Sequence, residues 1–353
     1  MARVSKQAAI EIAGVSIKPG SRQSVDIQLP SFYTHSNVNM PLHVVHGRRP
    51  GPVLLVSAAI HGDEITGVEI IRRLLAYKFI GRIRGTLIAI PVVNVYGFVS
   101  KSRYLPDRRD LNRSFPGSES GSMASRLANV LMKQIIPHCT HIIDLHSGAV
   151  NRENLPQIRA KISGEPEIEA LARAFGVPVI LDSNLLDDSF RAAAYALRIP
   201  MLVYEAGEAL RFNEVAIRAG VKGVLNVMAS LDMRLKKKKR LLPASMIANT
   251  TRWVRAPQSG ILRAVAAIGA RVEVGDTLAF VNDPLGENHS EVSSPMDGII
   301  IGKTNLPLVF EGEAIFNIAT YESLDLVSGR IDAHQERLSP NGSDDEDDEP
   351  PLV

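Results

Sequence analysis

Short apolar runs alternate with amphipathic stretches between residues 53 and 235, and this alternation restricts the fold more than any other feature of the chain. Residues 53–60 form a short, continuous apolar run of the kind that fills a buried strand. Residues 65–79 carry apolar side chains at helical spacing. Strands that alternate with helices predict an α/β fold, in which helices cover both faces of a mostly parallel or mixed sheet.

The alternation continues along the chain and predicts further elements of both kinds. Predicted strands cover 86–93, 141–145, 177–181 and 201–205, and predicted helices cover 122–136, 166–175, 189–197 and 214–235. In such sheets the working residues collect at the carboxyl ends of the strands. Polar residues that follow the predicted strands are therefore the first candidates for a functional site.

An internal repeat marks the C-terminal part of the chain, where glycines are frequent and no helix is predicted from 253 to 319. Residues 256–262 match 294–300, and residues 272–278 match 309–315. Two similar halves predict a small two-fold β-sandwich, because neither half can bury its apolar face alone.

This C-terminal arrangement resembles the barrel-sandwich fold of biotinyl/lipoyl domains. In the carrier domains of that family, a lysine lies on the hairpin between the two halves. The corresponding segment here, 282–291, contains no lysine. We therefore expect a structural β-domain that shields the functional site or forms a subunit contact, and not a cofactor carrier.

The net charge is nearly balanced at +2, but it is concentrated in a basic run at 236–240 and an acidic run at 344–349. Aromatic residues make up only 5% of the chain and no base-stacking motif accompanies the lysines, so we expect no nucleic-acid partner. The last segment cannot bury enough apolar area to offset its ordering entropy, and we expect an acidic disordered tail over 339–353.

The single cysteine, Cys139, excludes an intrachain disulfide framework and a zinc site with several cysteines. It is compatible with a reducing cytoplasm. No stretch approaches the roughly 18 apolar residues that a membrane span requires, and residues 1–28 contain no signal-peptide core. We expect a soluble, cytoplasmic protein with no membrane partner.

The motif His61-Gly62-Asp63-Glu64 follows the first predicted strand and opens a helix. His61 and Glu64 are three residues apart, so their side chains lie on the same face of a turn and can share one ion. Zn²⁺ accepts mixed nitrogen and oxygen ligands, and a catalytic zinc site needs three protein ligands and one open position. An isolated pair of this kind is usually not a metal site, so a third ligand is needed.

His146 is the candidate for the third ligand, because it follows directly after a predicted strand. Asp144 lies two residues earlier and points the same way on strand geometry, so it can orient the His146 ring. Considered alone, a histidine at such a position is more often a hydrogen-bonded core residue. The remaining histidines have weaker claims, with two expected at the surface and two in an edge strand: His138, His141, His43 and His46.

Two further motifs supply polar side chains that can act on a substrate. Asn112 and Arg113 offer an amide and a guanidinium fork, which together can bind a carboxylate, although a loop of this composition is usually a solvated, internally paired turn. Glu205 ends a predicted strand and is followed by a glycine turn, where a carboxylate can serve as the base for a metal-activated water. Glu208 is the alternative base, but we expect it in a surface turn.

The ordered motifs H-G-D-E, R-D-L-N-R, D-L-H and Y-E-A-G resemble the aspartoacylase/succinylglutamate desuccinylase family, a branch of the zinc carboxypeptidase superfamily. The resemblance covers residues 45–320. It implies a zinc-carboxypeptidase-like mixed sheet flanked by helices, followed by the small β-domain, and one zinc ion per chain. The implied roles are zinc ligation by His61, Glu64 and His146, general base and acid catalysis by Glu205, carbonyl polarisation by Arg103, and substrate binding by Asn112, Arg113 and Arg159.

This resemblance implies a hydrolase that cleaves the amide bond of a small N-acyl amino acid. Two alternatives stay open, a zinc carboxypeptidase acting on peptide C-termini and a catalytically silent scaffold. A homo-oligomer is compatible with the sequence. The expected organisation is an N-terminal β segment at 1–44, the zinc hydrolase domain at 45–240, the β-domain at 250–325 and the acidic tail at 339–353.

Overall fold

The computed structural model describes residues 7–234, 245–248 and 250–338. Within these ranges the helices are α1 (Thr66–Ala76), α2 (Val95–Ser100), α3 (Met123–Gln134), α4 (Pro166–Phe175), α5 (Phe190–Ala196), α6 (Glu214–Ser230) and α7 (Leu324–Leu338). The strands are β1 (Ile10–Ile12), β2 (Val15–Ile17), β3 (Ser21–Leu29), β4 (Val38–His46), β5 (Arg49–Ala58), β6 (Arg84–Ile90), β7 (His141–Gly148), β8 (Arg152–Ala160), β9 (Val179–Asp182), β10 (Met201–Glu208), β11 (Met246–Ala248), β12 (Thr250–Arg255), β13 (Gly260–Ala264), β14 (Arg271–Val272), β15 (Thr277–Asn282), β16 (His289–Ser293), β17 (Gly298–Thr304), β18 (Leu308–Val309) and β19 (Ala314–Thr320).

A long mixed sheet forms the centre of the molecule, with the strand order β12-β19-β17-β8-β10-β7-β5-β6-β4-β3. The middle strands β10, β7, β5 and β6 run parallel to their neighbours in this group, whereas β8 and β4 join antiparallel on either side. Helices α1, α4 and α6 pack on one face, and α2, α3 and α5 pack on the other. The predicted α/β fold with a mixed sheet covered on both faces is therefore confirmed.

Some helices and strands differ from those predicted from the sequence. The helix predicted at 166–175 coincides with α4, but α6 ends at Ser230, earlier than predicted. Strand β8 was not predicted, although it makes the sheet mixed. The expectation of an edge strand around His43 and His46 was wrong, because β4 lies between β3 and β6 and both of its edges are paired.

The C-terminal region is a sandwich of β-strands, as its internal repeat predicted. Strands β13, β15, β16 and β18 form a four-stranded sheet. This sheet packs against β12, β17 and β19 through a shared apolar cluster that includes Leu262, Val281, Ile300 and Ile318. Because β17 also pairs with β8, one layer of the sandwich continues directly into the central sheet.

Helix α7 follows the sandwich and was not predicted. Its buried residues Val327, Ile331, His334 and Leu338 recur at helical spacing, so the signal was present in the sequence. The basic run 236–240 and the tail 339–353 lie outside the described residues. Among the helices that the structure describes, none is long and apolar enough to cross a membrane.

Candidate active site

Three parallel strands bring the predicted motifs to one edge of the central sheet. His61 follows the carboxyl end of β5, His146 lies near the end of β7, and Glu205 lies near the end of β10. Glu205 is directly opposite His146 in the β10–β7 register. Because directly paired residues of neighbouring strands share a face of the sheet, their side chains project to the same side.

The three candidate metal ligands form a compact, buried cluster. One carboxylate oxygen of Glu64, Oε1, lies 2.7 Å from Nδ1 of His61, and the other, Oε2, lies 2.8 Å from Nδ1 of His146. One ligand atom from each residue lies within 4.8 Å of the others. The exposed fractions are only 3% for His61, 2% for Glu64 and 4% for His146. This set of nitrogen and oxygen donors could hold a metal ion.

The other nitrogen of each histidine ring, Nε2, contacts a different carboxylate. Asp144 Oδ2 lies 2.7 Å from Nε2 of His146, and Asp144 is itself held by a 2.7 Å hydrogen bond from the Ser57 hydroxyl. Asp110 Oδ1 lies 3.2 Å from Nε2 of His61. Such contacts fix the ring orientation, which leaves Nδ1 for the ion. The contact of Asp144 was predicted, and that of Asp110 was missed although it lies in a singled-out motif.

The buried charges of the cluster favour a cation at its centre. Burial opposes protonation of His146, but Asp144 and Glu64 outweigh it, so the pKa of His146 lies well above its usual value. The pKa of His61 is raised in the same way, since Glu64 and Asp110 overcome the effect of burial. Burial would raise the pKa of Glu64, but the two imidazoles hold it well below its usual range. Positive charge is therefore stabilised at this position.

A glycine explains the local shape of the motif that carries His61 and Glu64. A Cβ atom on Gly62 would lie 1.9 Å from the carbonyl carbon of Gly97, at the start of α2. Asn94 caps this helix by accepting a 2.9 Å hydrogen bond from the Gly97 N–H. Before the motif, Ala59 adopts a φ of 52° and turns the chain at the end of β5. Only glycine at position 62 allows the two backbones to approach this closely.

A cavity of about 280 Å³ opens beside the cluster. It is lined by all eight residues singled out from the sequence, which are His61, Glu64, Arg103, Asn112, Arg113, His146, Arg159 and Glu205. The structure thus brings residues from five separate segments of the chain together around one space. Five arginines contribute to its lining, so the cavity can accommodate an anionic small molecule.

The side chains on the open side of the cavity have defined partners. Arg103 donates from Nη2 to Asp110 at 3.0 Å and from Nη1 to Glu64 at 3.3 Å. The side-chain oxygen of Asn112 accepts a 2.9 Å hydrogen bond from the backbone N–H of Phe190, the first residue of α5. Arg113 donates to the carbonyl oxygen of Asn112 and is otherwise exposed. Asn112 and Arg113 both line the cavity, and among the described residues the Asn112 amide nitrogen has no hydrogen-bond partner, so it is available to a ligand.

Glu205 is held at the wall of the cavity by its neighbours from β8. Its Oε2 accepts a 2.8 Å hydrogen bond from the Asn154 amide, and its Oε1 lies 3.7 Å from Nε of Arg159. The alternative base, Glu208, was expected in a surface turn, and this expectation was wrong. Glu208 is buried and accepts hydrogen bonds from the Asn151 backbone and the Asn305 amide, so it ties the β-sandwich to the central sheet.

Sequence reasoning missed several residues that line the cavity, among them Asn154, Arg191 and Trp253. Asn154 lies on β8, and Pro156 in the same segment argues against a strand. Arg191 lies on α5, and its Nη1 is buried without a hydrogen-bond partner among the described residues. Trp253, the single tryptophan, reaches the cavity from β12 and lies 5.6 Å below the guanidinium of Arg152. The C-terminal sandwich therefore contributes a side chain to the cavity.

The chain is similar to known proteins over much of its length. The profile of the succinylglutamate desuccinylase/aspartoacylase catalytic domain matches residues 50–231. The N-alpha-acetyl-L-2,4-diaminobutyric acid deacetylase of Halomonas elongata is 25% identical over 294 residues, which cover 80% of this chain and 86% of that protein.

Solved structures share the fold over most of the chain. The product-bound ectoine utilization protein EutE (DoeB) from Ruegeria pomeroyi has a TM-score of 0.76 and 25% identity, covering 85% of this chain and 95% of that one. The succinylglutamate desuccinylase/aspartoacylase from Rhodobacter sphaeroides has a TM-score of 0.74 and 24% identity, covering 86% and 96%. The similarity extends over both the central sheet and the C-terminal strands, since so much of each chain is covered.

Proposed function

Because the chain belongs to the succinylglutamate desuccinylase/aspartoacylase family, we propose that it is a zinc-dependent hydrolase that cleaves the amide bond of a small N-acyl amino acid. The observation that carries this proposal is the buried set of His61, Glu64 and His146, which opens onto a cavity lined by Glu205 and several arginines. Metal-assisted amide hydrolysis requires a metal site, a carboxylate that acts as the base, and cationic side chains next to them.

The donor set fits one zinc ion per chain. Two imidazole nitrogens and one carboxylate are ligands that zinc accepts in catalytic sites, where a fourth position stays open. Nε2 of each imidazole contacts a carboxylate, as is usual for histidines that bind zinc. When bound, zinc supplies a Lewis acid that lowers the pKa of water to about 7 and polarises a carbonyl group.

Glu205 is the general base and acid in this proposal. Its carboxylate takes a proton from the attacking water and delivers it to the leaving amine nitrogen. Its position next to His146 in the sheet and the hydrogen bond from Asn154 hold the carboxylate toward the cavity.

The cationic side chains bind and polarise the substrate. Arg103 uses three of its five N–H groups on Asp110 and Glu64, so two remain for the oxyanion that develops on the scissile carbonyl oxygen. The amide nitrogen of Asn112 and the guanidinium of Arg113 bind the carboxylate of the amino acid, with Arg159 as a further anion-binding group.

The size of the cavity favours a small substrate. A volume of about 280 Å³ lies just below the range for small-molecule sites, roughly 300–1,000 Å³. This volume supports an N-acyl amino acid over the peptide of a carboxypeptidase. We further propose that the C-terminal sandwich has the barrel-sandwich form of biotinyl/lipoyl domains without their carrier role, and that it shields the cavity through Trp253.

Metal content and amine release, measured together, test the proposal. The wild type should hold one zinc per chain and release free amine from at least one member of a panel of N-acyl amino acids. His146→Ala should lose both the zinc and the activity. Glu205→Gln should keep the zinc and lose activity by about 100-fold or more, the scale of general acid–base catalysis.

Two exposed residues provide matched controls. His289→Ala and Glu287→Gln repeat the same substitutions in the C-terminal sandwich, and both should leave zinc content and activity unchanged. Undiminished activity in Glu205→Gln, or zinc-free wild type that is fully active, would contradict the proposed mechanism.

A further inference from the structure

A second and larger cavity lies at the opposite end of the central sheet. Its volume is about 900 Å³, and it opens at the amino ends of β5 and β6, which begin at Arg49 and Arg84. The candidate active site lies at the carboxyl ends of the same group of strands. The two cavities share no lining residue, so the proposed hydrolysis makes no use of the larger one.

The lining of this second cavity is strongly cationic. Five arginines line it, together with a single acidic residue, Asp232; the arginines are Arg48, Arg49, Arg82, Arg84 and Arg234. Within the described ranges, none of these five guanidinium groups has a carboxylate oxygen within 4.0 Å. Elsewhere arginines such as Arg72, Arg73 and Arg173 are paired with glutamates. The lining therefore has an excess of four positive charges that the described residues leave uncompensated.

Two of the arginines, Arg84 and Arg234, are oriented by contacts with neighbouring groups, and among the described residues their outer nitrogens have no hydrogen-bond partner. Arg84 donates from Nε to the Pro50 carbonyl at 2.6 Å. The guanidinium of Arg234 lies 4.7 Å from the ring centre of Phe79. The side chain of Arg48 crosses Gly20 so closely that a Cβ there would lie 2.7 Å from its Nε. The contacts of Arg84 and Arg234 restrict these two side chains, so they lose less conformational entropy when an anion binds.

We propose that this cavity binds a small molecule that carries two phosphate groups. Guanidinium groups bind phosphate oxygens in pairs of hydrogen bonds. A phosphate monoester carries about −1.5 to −2 charges at neutral pH, so two of them carry about −3 to −4 charges and offset most or all of the positive excess. The volume of the cavity also lies within the range of small-molecule sites. A sugar bisphosphate and a nucleoside diphosphate share this chemistry.

Calorimetric titration of the zinc-loaded, full-length protein tests this inference with two probes, fructose 1,6-bisphosphate and ADP. At least one of them should bind saturably with one site per chain, and the probe that binds more tightly identifies the class of ligand. The affinity should fall as NaCl is added, because the contacts are charge-assisted. In Arg82→Gln/Arg234→Gln the affinity should fall at least tenfold.

The control removes the same charge elsewhere. Arg252→Gln/Arg263→Gln alters two exposed arginines of the C-terminal sandwich, and its affinity for the probe should stay within twofold of wild type. The inference is overturned if neither probe binds saturably at millimolar concentration, or if both double variants lose affinity equally. It is also overturned if the affinity is lost in Arg113→Gln/Arg159→Gln and kept in Arg82→Gln/Arg234→Gln, because the probe then binds at the candidate active site.

One further variant asks whether the chain's own acidic segment fills the cavity. In a full-length protein with Asn and Gln at all acidic positions of 344–349, probe affinity should match that of wild type. Binding that appears only in this variant would overturn the inference and assign the cavity to the acidic segment. Each of these results is independent of amide hydrolysis, which is measured separately, so failure here leaves the proposed function intact.

Discussion

At the scale of single residues, the carboxylates that contact Nε2 of His146 and His61 control how tightly the cluster can bind a metal ion. Asp144 is the stronger case, since it is buried, lies 2.7 Å from His146 and is fixed by Ser57. Replacing Asp144 by Asn removes the negative charge while it keeps the shape. We expect zinc affinity to fall about 10- to 100-fold, measured by competition with a chelating dye.

Asp187→Asn is the matched control for this prediction, because Asp187 is exposed. Its zinc affinity should equal that of wild type. If Asp144→Asn also binds zinc as tightly as wild type, then Asp144 does not act through the His146 ring.

At the scale of secondary-structure elements, Arg73 ties α1 to α6. It donates two hydrogen bonds to Glu214, at 2.6 and 2.8 Å, and one to Glu69. Hydrogen bonding to Arg73 lowers the pKa of Glu214, and hydrogen bonds from Arg72 and Arg73 lower the pKa of Glu69. Arg73→Met should therefore destabilise the protein at pH 7, by roughly 1 kcal/mol after allowance for solvent screening.

The stabilisation by Arg73 should depend on pH in one direction. A carboxylate whose pKa is lowered by folding contributes stability above its unfolded pKa, and this contribution is lost as the pH falls through the folded pKa. The difference in unfolding free energy between wild type and Arg73→Met should therefore be constant above about pH 5 and shrink as the pH falls below about 4.5. Urea unfolding at a series of pH values measures it, and a difference that grows in acid would refute the assignment.

The H-G-D-E turn and α2 lie in close contact at Gly62. The Cβ atom of Gly62→Ala would overlap the backbone of Gly97, so one of the two segments must move. We expect a loss of about 3 kcal/mol or more in unfolding free energy. Gly329→Ala in α7 is the control: a Cβ there meets nothing within 4 Å, and alanine should stabilise the helix by about 0.5–1 kcal/mol. Equal effects of both substitutions would contradict the close approach.

The elements that carry the site were predictable because their signals are local. The strands β5, β7 and β10 each contain several adjacent apolar residues, and each motif lies at or just after the carboxyl end of its strand, as His61 follows β5. Strand β8 was missed because Pro156 and its charged neighbours conceal the strand pattern. Asn154 and its hydrogen bond to Glu205 were missed with it. The Asp110–His61 contact joins residues 49 positions apart, and no local pattern specifies such a distance.

At the scale of the whole molecule, the pairing of β17 with β8 was also beyond the sequence. The repeat in the C-terminal region predicted a separate sandwich, and it contains no sign of the strand to which one layer would be joined. The observed pairing, Gly302 with Asn154 and Thr304 with Arg152, makes one continuous sheet. It also explains how Trp253 on β12 comes to line the cavity of the central sheet.

This continuity predicts that the two regions unfold together and respond together to metal. Trp253 is the single tryptophan and reports on the sandwich, whereas far-UV circular dichroism reports mainly on helices α1–α6 around the central sheet. A ligand present at 100 times its Kd stabilises the folded state by about 2.7 kcal/mol. Removing zinc by chelation should therefore lower both thermal midpoints by the same amount, about 5 °C.

His146→Ala provides the control for this experiment, since a variant without the metal site should show no response to the chelator. A shift in the circular dichroism midpoint alone, with the Trp253 fluorescence transition unmoved, would show that the sandwich unfolds independently. The β8–β17 pairing would then be too weak to couple the two regions. A common shift would mean that metal bound at the ends of β5 and β7 stabilises strands that reach the far side of the same sheet.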